Sequence, residues 1–494
     1  MLLLRKILFY VFVLIYFVFC PVVILQAFGY FVYPLAKKTV IETGLISLVS
    51  NPAGATIFVE NRRFTKRTPA VVRGLLPQAY TVRLAMKNYK PWSRTVTVEA
   101  GRATVMDKVL MLPQQLSVQD ITSEECEELV ALPSTPYFLV VKDEKLKDCL
   151  IYDGHEDELR PLLKTDDTFS DMRFVSCVTV DGSPYFLMQV EDVNREPRYL
   201  WGEIRKDQTV LTDMSSLLPS APFQSAEWDA TYPKYLFIAY NNDLYRLNTV
   251  TRTMFPKFME SVSGYGLFER MVYSIAADQS FVRSDMQKST RIYHKKYMPI
   301  SPLLAEIKGF FRIKALTRDT LVFIGEKGEL LSNLLPYYFV DKGIVGTAFY
   351  ADTKQLLMWQ KERIGIINFT KDKDREDIFE HGPRVQWIYE KGKNIEQAFW
   401  VYNGSHILFR DKDKVYLIDV NASAKNEPEF LVQVRRKSNM VYQESTGKLF
   451  FLDAEQGKLV VMRILPRTDM INFQFPEMRK EEEPEEESSG AVLN

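Results

Sequence analysis

The chain has 494 residues, with 63 Lys plus Arg balanced by 63 Asp plus Glu, so its formal net charge is zero. Apolar residues make up 46% and charged residues 26%, which excludes wholesale disorder and a polytopic membrane protein. The neutral balance argues against a nucleic-acid partner, and 13% aromatics with only four His favour β-rich packing over metal or acid–base chemistry.

The length suits roughly three domains, or one large architecture with an appendage. After a short segment at 1–6, no charged residue occurs from Ile7 to Ala36. That stretch exceeds the roughly 20 apolar residues needed to span a hydrocarbon core. It is too long for a signal-peptide h-region and has no small-x-small cleavage site. Phe19 before Cys20 is too bulky for a lipoprotein site. The expectation is an uncleaved transmembrane anchor at 7–36. Arg5 and Lys6 precede it, Lys37 and Lys38 follow it, and the free amino terminus tips the count towards a cytoplasmic N-terminus. The domains after the anchor would then lie outside the cytoplasmic membrane. Tyr30, Phe31 and Tyr33 suit the aromatic belt at the exit.

Short alternating segments follow. Ile46–Val49 and Thr56–Glu60 read as strands around the turn Asn51-Pro52-Ala53-Gly54-Ala55. Asn61–Lys66 reads as a polar, basic turn. Thr68-Pro69 opens a third strand, Gly74-Leu75-Leu76-Pro77 makes another turn, and Tyr80–Met86 and Arg94–Glu99 close the set. Strands of this length between Pro, Gly and Asn turns predict a small antiparallel β-sandwich over 45–112.

These residues resemble the PEGA family through Pro52, Gly54 and Ala55, then Thr68-Pro69, Leu76-Pro77 with Tyr80, and Tyr89 with Trp92. Gln78 and Asn88 stand where the family usually has Gly. Asn tolerates a left-handed backbone, so Asn88 can keep its turn, whereas Gln78 does so less readily. The resemblance implies a non-catalytic, extracytoplasmic accessory module and no particular ligand. An anchor followed by such a domain also resembles single-pass surface proteins of bacteria. Trp92 suits a core position better than a sugar platform.

From 115 to 475 a pattern recurs: an apolar residue, then an apolar strand eight positions on. It appears as Val130/Phe138, Val178/Phe186, Trp228/Leu236, Ile313/Leu321, Phe349/Leu357, Trp400/Leu408 and Val441/Leu449, with a weaker copy at Tyr265/Tyr273. That makes about eight copies at a mean spacing of about 44 residues. Each reads as strand, polar turn, strand. Ile407–Arg410, Asp411-Lys412-Asp413 and Lys414–Val420 show it best, and Leu236–Tyr240, Asn241-Asn242-Asp243 and Leu244–Leu247 match. Hairpins at this period predict a seven- or eight-bladed β-propeller. The unit resembles the blades of TolB-like and WD-repeat propellers, with Asn403-Gly404-Ser405-His406-Ile407-Leu408-Phe409 nearest. One helix is expected around Pro302–Lys308. Trp228 and Trp400 hold equivalent repeat positions, which predicts packing between blades.

No Walker A, GxSxG, HExxH or dinucleotide fingerprint occurs, so no catalytic, metal or cofactor residue is assigned. Ser445 and Lys448 form an SxxK within a polar turn. Asp372, Asp374, Glu376 and Asp377 are interleaved with Lys371, Lys373 and Arg375, as in a solvated loop, and lack the Gly of a calcium loop. His155, His294, His381 and His406 are isolated in sequence. Cys126, Cys149 and Cys177 leave an odd number beyond the anchor; Cys149 and Cys177 could pair, or all could be buried thiols. The glutamate run 481–487 marks an acidic, disordered tail at 477–494, and its removal leaves a mildly basic body.

The whole reads as mainly β. The expected protein is a bacterial, membrane-anchored, non-enzymatic binding or scaffold protein, with a protein, peptide or envelope glycan on the propeller's loop face. The alternative is a hydrolase or lyase acting on an envelope polymer. It requires carboxylates to converge in the propeller funnel.

Overall fold

The computed structural model describes residues 2–465, apart from 28–29, 33–39, 133–134, 143–148, 155, 163–169, 181–182, 193, 206–207, 219–222, 230–231, 233, 288–293, 297–299, 335–337, 370–384 and 421–426. His155, His381, the acidic run 372–377 and the tail 477–494 therefore lie outside the described residues. The chain is mainly β.

Helix α1 spans Leu2–Ala27, short of the anchor expected to run to Ala36; within that run Tyr30–Val32 is instead a strand paired antiparallel with Val40–Glu42. Among the described residues no helix is long and apolar enough to cross a membrane. Several α1 side chains, including those of Lys6, Ile7, Val18 and Val22, lie outside the described set.

Residues 44–110 form two sheets. One orders Ala70–Leu75, Gly44–Asn51 and Ala103–Leu110; the other orders Arg62–Arg67, Thr56–Val59, Ala79–Ala85 and Trp92–Thr97. Ile46, Leu48, Ile57, Val82 and Leu84 are fully buried between them, following the alternation of their strands. The sequence expectation needs two corrections here. Gly44–Asn51 pairs in parallel with Ala103–Leu110, so the sandwich is not purely antiparallel. The basic stretch expected as a turn over Asn61–Lys66 is a strand, Arg62–Arg67. Its turn is confined to Glu60 and Asn61, which both take positive φ. As an exposed edge strand it has no apolar alternation to betray it. The PEGA-type residues meet locally. Thr68 Oγ1 accepts from the Ala55 amide at 2.9 Å and lies 2.6 Å from Ser50 Oγ, next to Gly54 at φ +94°. Asn88 has φ +67°, the left-handed turn its side chain tolerates.

Among the described residues eight sheet units follow, each an antiparallel meander of four strands, or of three in the fifth. Blade 1 is Glu128–Ala131, Tyr137–Val141, Cys149–Asp153 and Glu158–Pro161. Blade 2 runs from Ser170–Val180 to Thr209–Asp213, and blade 3 from Ser225–Trp228 to Thr253–Met259. Blade 4 runs from Val262–Phe268 to His294–Lys296, and blade 5 from Phe311–Ala315 to Leu330–Ser332. Blade 6 runs from Gly346–Tyr350 to Gln386–Tyr389, and blade 7 from Ile395–Val401 to Glu429–Gln433. Blade 8 holds Val441–Gln443, Lys448–Leu452 and Lys458–Arg463, and its fourth strand is Val118–Glu125, from the start of the region. Helix α2, Ser301–Ile307, lies between blades 4 and 5.

Turn chemistry explains the hairpins. Asn241 and Asn242 both take positive φ, as a tight two-residue hairpin demands. Each apolar pair of the sequence repeat falls on the first two strands of one blade. Trp228 faces Leu236 directly, and Trp400 faces Ile407, one residue from Leu408. Successive blades share one apolar cluster per joint, and the last joint packs Phe138 and Tyr152 of blade 1 against Phe450 of blade 8. No single sheet closes on itself; the ring closes through this packing and the borrowed strand. Blades 4 and 5 are additionally fused, because their first strands pair in parallel at Gly264/Phe311 and Tyr265/Arg312.

Candidate functional site

Among the described residues polar chemistry gathers at several places, and three of them bear on function. The first is the joint between the PEGA-like domain and blade 7. Arg94, on Trp92–Thr97, pairs with Asp419 at the end of Lys414–Asp419; both side chains are 17% exposed. Lys90 pairs with Glu429, and Lys108 Nζ donates to the Asn403 carbonyl at 2.8 Å. Leu110 is buried in the cluster shared by blades 7 and 8. A cleft of 220 Å³ between the domains is lined by Trp92, His406, Asp419, Glu427 and Glu429 among others. Trp92 is half-buried there and packs against the sandwich core, and the Arg94 guanidinium lies 5.4 Å from its ring centroid.

His406 sits beside Asp419 in the sheet and is 4% exposed. Burial pushes its imidazole down to about 4, against the opposing charge of Asp419 and with help from Arg94. Ser405 Oγ lies 2.8 Å from His406 Nδ1 but donates to the Tyr402 carbonyl at 2.7 Å. That hydroxyl is buried and its proton is already committed, so the pair is a structural contact and not a primed nucleophile.

The second place is a groove of 480 Å³ between blades 2 and 3, walled by Tyr185, Trp201 and Tyr232 and carrying Glu203, Lys234 and Arg252. Its volume is that of a small-ligand site. Trp201 is held edge-on to Trp228 at 5.1 Å and lies 5.8 Å from Tyr185. Arg205 bonds Glu203 at 2.8 Å and, with Tyr185, keeps its carboxyl below the usual range. Such a groove offers flat apolar faces, one fixed anion and two cations.

The third place is the centre of the ring, where the first strands of successive blades approach one another. Glu227, on the first strand of blade 3, is pushed up to about 7 by burial, although Arg312 and Lys314 of blade 5 oppose the shift. The same burial lowers Lys314.

The remaining sequence candidates are dispersed. Trp228 and Trp400 are buried between blades, and Trp400 Nε1 donates to the Ala348 carbonyl of blade 6 at 3.0 Å. Leu236, Leu357 and Leu408 are fully buried, and Phe349 packs at the joint of blades 5 and 6. Tyr80 is in the sandwich core, Tyr89 packs against it, and Pro77 lies exposed in its turn. Lys448 of the SxxK donates to Asp157 at 2.5 Å. Cys149 and Cys177 border one apolar cluster as thiols, not as a disulfide. His294 lies on His294–Lys296, but its side chain is not described. No group of three or more potential metal ligands gathers among the described residues. Arg94, Asp419, Trp201 and Glu227 carried no sequence signal, since their partners are distant in the chain, and Glu203 with Arg205 reads in sequence as an ordinary exposed pair.

Residues 43–114 match the PEGA domain. No curated protein matches the chain. Similar solved structures include the β-propeller domain of Cps50 (Swd1) from Myceliophteria thermophila, at 9% identity and TM-score 0.36 over 71% of this chain and 100% of that one. A computationally designed protein, Ika8, gives 9% and 0.40 over 70% and 100%. A eukaryotic initiation factor gives 10% and 0.42 over 79% and 98%. At these scores the propeller-like architecture rests on the blade order and packing described above.

Proposed function

We propose that this chain is a membrane-anchored binding or scaffold protein of the bacterial envelope, with its β domains outside the cytoplasmic membrane. The observation that carries the binding role is the aromatic groove between blades 2 and 3. It suits a ligand with flat apolar faces and charged groups, such as a peptide or an envelope glycan. The uncharged run from Ile7 to Ala36 supports the anchor, as do α1 side chains such as Leu8 and Phe12, each 71% exposed. The test is quenching of tryptophan fluorescence by envelope glycan fragments and peptides, in the wild type and in Trp201→Ala. Saturable quenching lost in the variant is expected; quenching that persists there refutes the groove. Protease shaving of intact cells tests the placement, and protection of residues 45–494 overturns it.

A second reading, a hydrolase or lyase of an envelope polymer, is favoured by one observation. The Glu227 carboxyl titrates near neutrality beside Arg312 and Lys314, as a general acid would. It requires turnover of such a polymer that Glu227→Gln abolishes.

A further inference from the structure

The PEGA-like domain is not neutral like the chain as a whole. Between residues 43 and 114 there are eleven Lys and Arg against three Asp and Glu, an excess of eight positive charges. Four cations fall on one short strand, Arg62, Arg63, Lys66 and Arg67, and all four are exposed. None lies within 4 Å of a carboxylate among the described residues, whereas Arg94 and Lys90 are paired with blade 7. Charges of either sign protect a sheet edge from unwanted pairing, so that role does not require all four to be cations.

The placement of the strand is informative. It is one edge of the four-stranded sheet, and Trp92–Thr97, which meets the propeller-like ring, is the opposite edge. The basic edge therefore points away from the ring. Arg63 and Arg67 pair with Phe58 and Thr56, and Arg83 lies over the Phe58 ring at 4.5 Å, so the charge extends onto the adjoining sheet face. The chain comes in at Gly44, which pairs with Leu75. At that same end the Val98 amide donates to the Gln78 carbonyl, and Glu60 turns back onto Thr81. Arg62 and Arg63 follow that turn directly. From Ala36, the last residue of the uncharged run, to Gly44 the chain spans at most about 28 Å when fully extended.

We propose that this basic edge rests on the anionic headgroups of the bilayer holding the anchor, with Arg62, Arg63, Lys66 and Arg67 on lipid phosphates. The proposal builds on the anchored reading above. A short tether holds the domain near the surface, and basic residues close to an anionic leaflet are attracted within a Debye length. The strand thus fixes how the domain, and the ring docked on its far edge, stand over the membrane.

The test uses the full chain in nanodiscs of phosphatidylcholine alone or with phosphatidylglycerol. A spin label at the exposed position Thr65→Cys is read by relaxation from a nickel-chelating lipid. Relaxation at least threefold stronger in the anionic discs is expected. It should fall to the neutral level at high salt and in Arg62→Glu/Arg63→Glu/Lys66→Glu/Arg67→Glu. Equal relaxation in both lipids overturns the proposal, as does an unchanged signal in the reversed variant, provided its melting temperature matches the parent. A gain produced in neutral discs by removing residues 477–494 also overturns it, because the acidic tail would then be the occupant. Failure of the chain to enter discs at all refutes the anchor instead.

Discussion

Phe450→Ala tests whether the ring closes as described. Phe450 is fully buried where blade 8 meets blade 1. Its ring lies 4.9 Å from Phe138 and 4.7 Å from Tyr152, which are themselves stacked 4.7 Å apart. Truncating a buried Phe costs about 3–5 kcal/mol, of which each aromatic contact supplies roughly 0.5–1.5. A loss of about 4 kcal/mol is expected. Phe430→Ala is the control, because Phe430 is 47% exposed and should cost under about 1 kcal/mol. Denaturant unfolding of the detergent-solubilised chain gives the totals, and amide hydrogen exchange gives the location. Exchange should rise first in Tyr137–Val141 and Lys448–Leu452, while blades 3 to 6 stay protected. If Phe450→Ala costs no more than Phe430→Ala, or if all blades open together, closure does not depend on this joint.

Other substitutions probe other levels. In Gly266→Ala the new Cβ would meet the Ile313 carbonyl oxygen at 1.7 Å, where blades 4 and 5 are fused, so a loss of about 3 kcal/mol and local exchange there are expected. His406 is held near 4 in the fold against an ordinary 6.5, so the unfolded chain binds the proton more readily between those values. Stability should therefore fall by up to roughly 3 kcal/mol as pH drops from about 6.5 to about 4; His406→Gln should flatten that slope in pH-dependent melting, and an unchanged slope counts against the buried joint. Glu227 has the opposite sign: its carboxyl is held near 7 against 4.5, so its contribution is present below 4.5 and lost as pH rises to 7. Glu227→Gln should gain on the wild type through that window, and a parallel pH profile would place Glu227 in open solvent.

The repeat was legible because each blade spends its apolar residues on two central strands separated by a polar turn. Even the weakest copy, Tyr265/Tyr273, marks the start of blade 4. The fourth strand of blade 8 was not legible. Val118–Glu125 is largely exposed and polar, and only its distant partner makes it a strand. The parallel pairing inside the sandwich was hidden for the same reason, since alternation reports burial and not direction. Among the polar sites, His406 was visible only as an isolated residue. Its environment is set by Arg94 from another domain and by Asp419 from the neighbouring strand. The Glu227 environment likewise comes from two blades away.

The strand that blade 8 borrows has a consequence for the order of events during synthesis. Thr122 Oγ1 accepts from the Leu459 amide, 337 residues later in the chain. The early segment must wait, with its hydrogen-bonding edge unpaired, while seven blades are made and stacked. Loop-closure entropy grows only slowly with length, so the wait weakens the finished ring little, but it delays closure. Until the last blade arrives, both ends of the stack expose apolar sheet faces prone to association with other chains. Closure therefore depends on Lys458–Arg463 reaching Val118–Glu125, and a chain without that strand would hold an open arc.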